Sequence, residues 1–244
     1  MNDLTDQFAT TQPIKKFPRA FTLVELLVVI AIVGGLAALV VPAVKGGINT
    51  AKSAKAVSHL QQIGGLVGIY AAENNNQLPY AAVWERIFSG QLVYFSRSLA
   101  EGTIPNFVYA KSPQSDTRPL PKIFYDPILD SNPRPTHGMG AFGVNTTIIQ
   151  GVWSEAEKPT SFNSISRPSQ KVIMGSMNSK TGSMSGGWCF SGEDFVNQGI
   201  DAADYLDPRH GGKAACLFAD GHVEKMDVKN MDQATRRRHF TLDP

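Results

Sequence analysis

Apolar residues are concentrated near the start of the chain, in an almost unbroken run from Phe21 to Val44. Glu25 is the one ionisable side chain within that run. A helix of this length, rising about 1.5 Å per residue, would span about 36 Å, more than the roughly 30 Å hydrocarbon core of a bilayer. The pattern predicts a transmembrane helix. The carboxylate inside it calls for a functional explanation, because charges within a membrane are costly.

The helical pattern continues after Pro42 but becomes amphipathic. Apolar side chains recur every three or four residues, which predicts one face packed on a head domain. The predicted stripe consists of Ile48, Ala51, Ala54, Val57, Leu60, Ile63, Val67 and Tyr70. His59 lies off the stripe and is predicted to be solvated. The Asn-rich stretch before Pro79 predicts the helix end, so one helix should run from Phe21 to Glu73.

The rest of the chain has the pattern of a globular head with short elements and loops rich in Gly, Pro and Ser. We predict a short helix within 81–99, short strands at 122–125, 138–149 and 171–175, and a Gly-rich loop at 183–197. Asp220-Gly221 lies between two strand-like runs. Asp-Gly in that position is a strong signal for a tight hairpin.

The net charge and the cysteine content exclude few classes of function. A net charge of +2 gives no electrostatic case for a nucleic-acid partner, and Arg236, Arg237 and Arg238 are predicted to form a solvated face. Cys189 and Cys216 are too few for a disulfide framework. They could form one bridge outside the cytoplasm or stay as two buried thiols, and the sequence leaves both open.

A basic cluster ending at Arg19 precedes Ala20 and the run "FTLVELLVVIAIVGGLAALVVPAV". This segment resembles the processing signal of type IV prepilins and type II secretion pseudopilins. The resemblance implies cleavage by a prepilin peptidase between Ala20 and Phe21, and methylation of the new N-terminus at Phe21. Ala20 departs from the family's usual Gly, but it is small and should be tolerated. A secretory signal would have a shorter apolar core, and a plain anchor leaves Glu25 unexplained.

The resemblance also implies roles in assembly for residues inside the apolar run. Glu25 of one subunit would pair with the Phe21 amine of the next and fix the axial register. The alternative is that Glu25 merely faces lipid headgroups. Gly34, Gly35 and Pro42 are expected to interrupt the helix and to let it unwind during assembly. Close helix packing through the glycines is compatible with that role.

His210, nine intervening residues and Asp220-Gly221 resemble the H-X9-DG segment at the C-terminus of one large set of prepilin-like proteins. In the structural interpretation Asp220 serves the turn, and His210 hydrogen-bonds a backbone carbonyl or Asp220. In the alternative, a divalent ion such as zinc is held by His210, Asp220 and His222, with Asp207 nearby. A calcium ion would prefer Asp201, Asp204 and Asp207. Apart from these ions, no cofactor is expected.

Together these features predict an α+β, pilin-like fold, with a long N-terminal spine helix packed on a small antiparallel β-sheet head. The predicted segments are a leader at 1–20, a transmembrane and assembly helix at 21–44, an amphipathic second half at 45–76 and the head at 77–244. The head would contain the H-X9-DG segment at 210–221.

The function implied by the resemblance is a structural subunit of a type IV pilus or type II secretion pseudopilus. Its partners would be the bacterial inner membrane, the prepilin peptidase and other pilin or pseudopilin subunits. The head would be extracytoplasmic. The sequence contains no nucleophile elbow, phosphate loop or zinc-protease signature, so an enzyme is not expected. The alternatives are a membrane-anchored module that binds a polysaccharide or a protein, and an anchored hydrolase.

Overall fold

The computed structural model describes residues 22–80, 82–84, 92–94, 121–129, 142–150, 159–178 and 189–242. The chain divides into two compact units, residues 1–46 and 47–244. Helix α1 extends from Leu23 to Glu73 and therefore runs through both. In the first unit its large apolar side chains are exposed, whereas in the second unit one of its faces is buried.

Helix α1 is continuous through Pro42 and through the Gly34-Gly35 pair, so the expected interruption is wrong for this state. A proline removes one backbone hydrogen bond, and the other hydrogen bonds of the helix continue on either side of it. The predicted end is confirmed. Asn75 and Asn76 follow the helix with φ values of 54° and 60°, a left-handed conformation that Asn tolerates.

The buried residues of α1 recur every three or four positions, as predicted. At the start of the buried face, however, they are not the residues that were predicted. Its members are Ser53, Ala56, His59, Leu60, Ile63, Gly64, Val67 and Ala71. Ile48, Ala51 and Ala54 were predicted to be buried and are exposed. His59 was predicted to be solvated and is buried. The polar contacts of this face with the head determine which residues of the helix are buried. The spacing of apolar residues alone does not predict such contacts.

The head contains a five-stranded sheet in the order β5-β3-β4-β6-β7. The strands are β3 (Phe142–Asn145), β4 (Val172–Ser176), β5 (Cys189–Phe190), β6 (Ala214–Phe218) and β7 (Val223–Met226). The α+β layout, with a spine helix packed on a small sheet, is confirmed. The sheet is not wholly antiparallel as predicted, because β5 pairs with β3 in parallel, while the other pairings are antiparallel.

Both faces of the sheet are covered. The helix-side core packs α1 against the sheet and includes Leu60, Ile63, Val144, Ala215 and Leu217. The far-side core contains residues of three short helices, α2 (Gly192–Asn197), α3 (Ala202–Tyr205) and α4 (Gln233–Phe240). Strand β6 alternates between the two cores, as the period of a strand requires. All its residues are therefore buried.

Several predictions for short elements are wrong. Where the structure describes the range 81–99, it shows a pair of antiparallel strands instead of the expected helix, β1 (Ala82–Trp84) and β2 (Leu92–Tyr94), in keeping with their β-branched and aromatic residues. Residues Lys122–Phe124 form a 3-10 helix rather than a strand. The described part of the predicted Gly-rich loop contains β5 and α2. The start of the predicted strand at 138–149 lies outside the described residues, and β3 accounts for its middle.

Two other predictions are confirmed. The strand expected at 171–175 is β4. Strands β6 and β7 pair as the antiparallel hairpin predicted around Asp220-Gly221, and Gly221 has a φ of 91°. Only glycine adopts such a backbone conformation without strain.

The disulfide considered for Cys189 and Cys216 is not formed, and both residues are buried free thiols. Cys189 is in β5 and Cys216 is in β6, with β3 and β4 between them. At about 4.8 Å between neighbouring strands, three steps separate the two by about 14 Å. A disulfide requires Cα atoms within about 7 Å of each other.

Candidate functional site

His210, the first residue of the H-X9-DG segment, is buried with 3% of its surface exposed. Its Nε2 lies 2.9 Å from Asp126 Oδ2, and its Nδ1 lies 3.2 Å from Ser53 Oγ. Ser53 belongs to helix α1. A single imidazole therefore joins the spine helix to a buried carboxylate of the head. The ring contacts neither a backbone carbonyl nor Asp220, which corrects the structural interpretation made for His210.

Arg209 adds a second charge to this cluster. Its Nε lies 3.5 Å from Asp126 Oδ2 and 3.5 Å from Asp207 Oδ2, and its guanidinium donates to the carbonyl of Met177. Burial lowers the pKa of Arg209, while the two carboxylates act in the opposite direction. Asp126, which has 1% of its surface exposed, is thus faced by an arginine and a histidine. A buried carboxylate needs such partners.

The residue before Asp126 makes another contact with the helix. His59 Nδ1 lies 2.8 Å from the carbonyl oxygen of Tyr125 and donates a hydrogen bond to it. Phe124 is in the helix-side core. Tyr125 thus contacts α1 directly through His59, and Asp126 is linked to Ser53 of α1 through His210.

The other end of the H-X9-DG segment is a turn. Asp220 Oδ1 accepts from the backbone N–H of His222 at 3.1 Å and lies 2.6 Å from His222 Nδ1. The His222 ring stacks on Phe218, with their centroids 4.2 Å apart. Gly221 supplies the positive φ. Asp220 therefore serves the turn.

In the described residues, the side chains of the two metal alternatives are not gathered into one site of three ligands. His210 and Asp220 lie at opposite ends of the five-residue strand β6. At about 3.3 Å per residue, that strand separates them by about 16 Å. Asp201 accepts from the N–H of Ala203 as the N-cap of α3, and Asp207 faces Arg209. Among the residues that the structure describes, no group of three His, Cys, Asp or Glu side chains could hold an ion.

The types of residue in the Ser53, His210 and Asp126 cluster are those of a hydrolase triad, but the geometry does not support catalysis. Ser53 has 5% of its surface exposed and lies on the packed face of α1. The ring nitrogens are also used in the opposite sense, with Nδ1 at the serine and Nε2 at the aspartate. A nucleophile needs access to substrate. This cluster is instead a buried contact between the helix and the head.

The N-terminal candidate site begins with the cap of helix α1. The N–H and hydroxyl of Thr22 donate to Glu25 Oε2 at 2.9 and 2.8 Å, and the N–H of Glu25 donates to Thr22 Oγ1 at 3.2 Å. This reciprocal pair is a capping box, which satisfies N–H groups that have no partner within the helix. The Thr-x-x-Glu pattern before an apolar run signals such a box, but our interpretation of Glu25 missed it.

The apolar side chains of α1 beyond this cap are exposed in the part of the chain that the structure describes. The large ones from Leu23 to Ile48 are about half exposed or more, with Leu23 at 78% and Ile48 at 50%. By length and composition, α1 is the one helix in the described residues that could cross a membrane. Ala20 and Phe21, the predicted cleavage pair, lie outside the described residues.

Comparison with known proteins gives one family match, at this end of the chain, and one curated relative. The prokaryotic N-terminal methylation motif family matches residues 16–41. The type II secretion system core protein G of Pectobacterium carotovorum subsp. carotovorum is 44% identical over 57 residues, which are 23% of this chain. That alignment covers 36% of the relative's own length. No solved structure matches. The motif and this relative support a pseudopilin-like protein.

The matched motif contains Ala20, Phe21 and Glu25, together with Gly34-Gly35, and it ends next to Pro42. The exposed apolar helix and the motif are consistent with a membrane-anchored subunit. The motif match does not reach His210 or Asp220.

Proposed function

We propose that this chain is a structural subunit, a pilin or pseudopilin, of a type II secretion pseudopilus or a type IV pilus. The observation that carries the proposal is the methylation motif at 16–41, on a helix whose large apolar side chains are exposed from Leu23 to Ile48. A continuous uncovered apolar surface requires lipid or protein partners. In this proposal the inner membrane covers it first, and neighbouring subunits cover it after assembly.

Processing converts the precursor into an assembly-competent subunit. A prepilin peptidase cleaves between Ala20 and Phe21 and methylates the Phe21 amine. The basic residues before Ala20 favour a cytoplasmic leader, which leaves the head outside the cytoplasm. After assembly, the head belongs to a periplasmic pseudopilus or to a cell-surface pilus.

In this proposal Glu25 has one partner before assembly and another in the assembled filament. Before assembly its carboxylate is held by Thr22 in the capping box. In the filament it pairs with the Phe21 amine of the next subunit and selects one axial register, since a buried charge without a partner is strongly destabilising. The glycines at 34–35 and Pro42 are the places where α1 unwinds to allow this transition.

The head has no catalytic role in this proposal. The chain is one of the prepilin-like proteins that carry an H-X9-DG segment. The burial of Ser53, His210 and Asp126 supports a head without a catalytic role. A membrane-anchored module that binds a polysaccharide or a protein would share the helix, but it would not assemble.

Mass spectrometry of protein purified from native cells tests the processing. The expected product begins at N-methylated Phe21, and a strain without the prepilin peptidase should retain the leader. Ala20→Gly is the matched control and should give the same mature product. A mature protein that still begins at Met1, or one cut beyond Val44, would refute the proposal in favour of a plain anchor or a secreted protein.

A further inference from the structure

We propose that the H-X9-DG segment is a two-point seat for the spine helix, in which His210 makes a polar contact and Gly221 makes a backbone contact. This inference concerns the head and does not depend on the function proposed for the N-terminal segment. Both contact points are on the same compact unit, residues 47–244.

The first contact joins His210 to Ser53. An imidazole ring carries two nitrogens on opposite sides, and each can make a polar contact. His210 places Nε2 at the Asp126 carboxylate and Nδ1 at the Ser53 hydroxyl. His210 therefore contacts the head through one ring nitrogen and the spine helix through the other.

The second contact joins Gly221 to Gly64. A Cβ at position 64 would lie 3.1 Å from the Gly221 carbonyl oxygen, 3.2 Å from Gly221 Cα and 2.9 Å from Leu217 Cδ1. The helix backbone thus rests directly on the hairpin turn. Gly221 has a φ of 91°, which favours glycine, and a Cβ at Gly64 would make tight contacts that the turn or the helix must shift to accommodate.

The two contacts have matched spacing. Ser53 and Gly64 are eleven positions apart on α1, and His210 and Gly221 are eleven positions apart along the hairpin. Eleven helical residues rise about 16 Å, and a five-residue strand spans about 16 Å. Between the contacts, Ala215 and Leu217 pack into the helix-side core. The length of strand β6 between the two contacts therefore matches the rise of α1 between Ser53 and Gly64, about 16 Å in each case.

Two contacts separated along the helix axis restrict motions that one contact would permit. A single contact leaves the head able to tilt or rotate about that point. Contacts at both ends of β6 determine the axial position and the rotation of the sheet relative to residues 53–64. The segment thus sets which surface of the head faces away from the spine helix.

The experiment uses the full chain in detergent, with spin labels at Gln61→Cys on α1 and Lys229→Cys after β7. Cys189 and Cys216 are buried and should not be labelled in the folded protein. The seat predicts that Gly64→Ala shifts or broadens the distance distribution and lowers the melting temperature. Gly65→Ala is the matched control, since nothing lies within 4 Å of a Cβ at that position. It should leave the distances unchanged.

At the other end, Ser53→Ala should broaden the same distribution, and Ser58→Ala on the exposed face should not. Ser53→Ala removes one hydroxyl and leaves Asp126 beside His210, so it tests the contact even where His210→Ala does not fold. The proposal is overturned if Gly64→Ala and Ser53→Ala both give the distances and melting temperatures of their controls. Processing at Phe21 should be normal in every variant, which separates this test from that of the proposed function.

Discussion

The side-chain amide of Asn145 donates to the carbonyl oxygen of Phe240 at 2.9 Å, joining strand β3 to the last residue of helix α4. The same nitrogen donates to the carbonyl of Val172, and the side-chain oxygen accepts from the N–H groups of Thr147 and Gly192. Asn145 is fully buried. It thus satisfies backbone groups at the end of α4, in β4 and at the start of α2.

Asn145→Ala should therefore destabilise the head by about 3 kcal/mol, because it leaves several buried backbone groups without partners. Chemical denaturation followed by circular dichroism measures the change. Asn197→Ala, on the exposed end of α2, is the control and should change stability by less than about 0.5 kcal/mol. Equal stabilities of the two variants would show that Asn145 contributes nothing particular.

Asp232 gives the head a pH dependence. It is the N-cap of α4, and the hydrogen bond from the Thr235 N–H lowers its pKa below the ordinary value of 3.8. A group whose pKa is lower in the folded state contributes stability above its unfolded pKa and loses it as the pH falls through the folded pKa. The contribution should be complete at neutral pH and decline below pH 3.8.

Asp232→Asn separates the cap from the charge, because asparagine caps helices about as well as aspartate does. The variant should melt near the wild-type temperature at neutral pH and lose less stability on acidification below pH 3.8. Thermal melting at a series of pH values measures both effects. If the two proteins have parallel pH profiles, the Asp232 carboxylate does not contribute to acid sensitivity.

The two cysteines should behave as buried thiols. Burial raises the pKa of Cys189 to about 12 and also raises that of Cys216. Since the thiolate is the reactive form, alkylation of the folded protein should be slow. After denaturation without a reductant, both thiols should be alkylated, and added reductant should change nothing. Alkylation that appears only after reduction would reveal a bridge and contradict the strand order.

Local patterns predicted the parts of the fold that are determined locally. Asp220-Gly221 specified the β6–β7 turn because few residues other than glycine accept the backbone conformation of Gly221. Asn75 and Asn76 specified the end of α1 for a similar reason. Strands β1 and β2 were missed because three residues each are too few to show a period.

Non-local contacts determined the parts that were missed. Periodicity placed Ala54 in the core and left out Ser53, because the partner of Ser53 is His210, far along the chain. The same holds for His59 and the Tyr125 carbonyl. Cys189 and Cys216 are kept apart by a strand order that does not follow the sequence. The nine-residue spacing between His210 and Asp220 was visible in the sequence. The residues of α1 that this segment contacts were not.

The last prediction concerns Glu25, whose carboxylate has two separable roles. Within the subunit it completes the capping box with Thr22, a role that glutamine also fills at this position. Between subunits it would supply the negative charge opposite the Phe21 amine, which glutamine does not. Glu25→Leu removes both roles, and Glu25→Gln removes only the charge.

Both variants should insert in the membrane, since each replaces a charge with a neutral side chain. Both should nevertheless be poorly incorporated into filaments, which co-sedimentation with the other subunits and immunoblotting of sheared fibres would measure. Mass spectrometry of the N-terminus provides the control for processing. If Glu25→Gln assembles like the wild type and Glu25→Leu does not, capping by Thr22 is the property that matters and the charge pair is refuted. Normal assembly of both would remove every assembly role from Glu25.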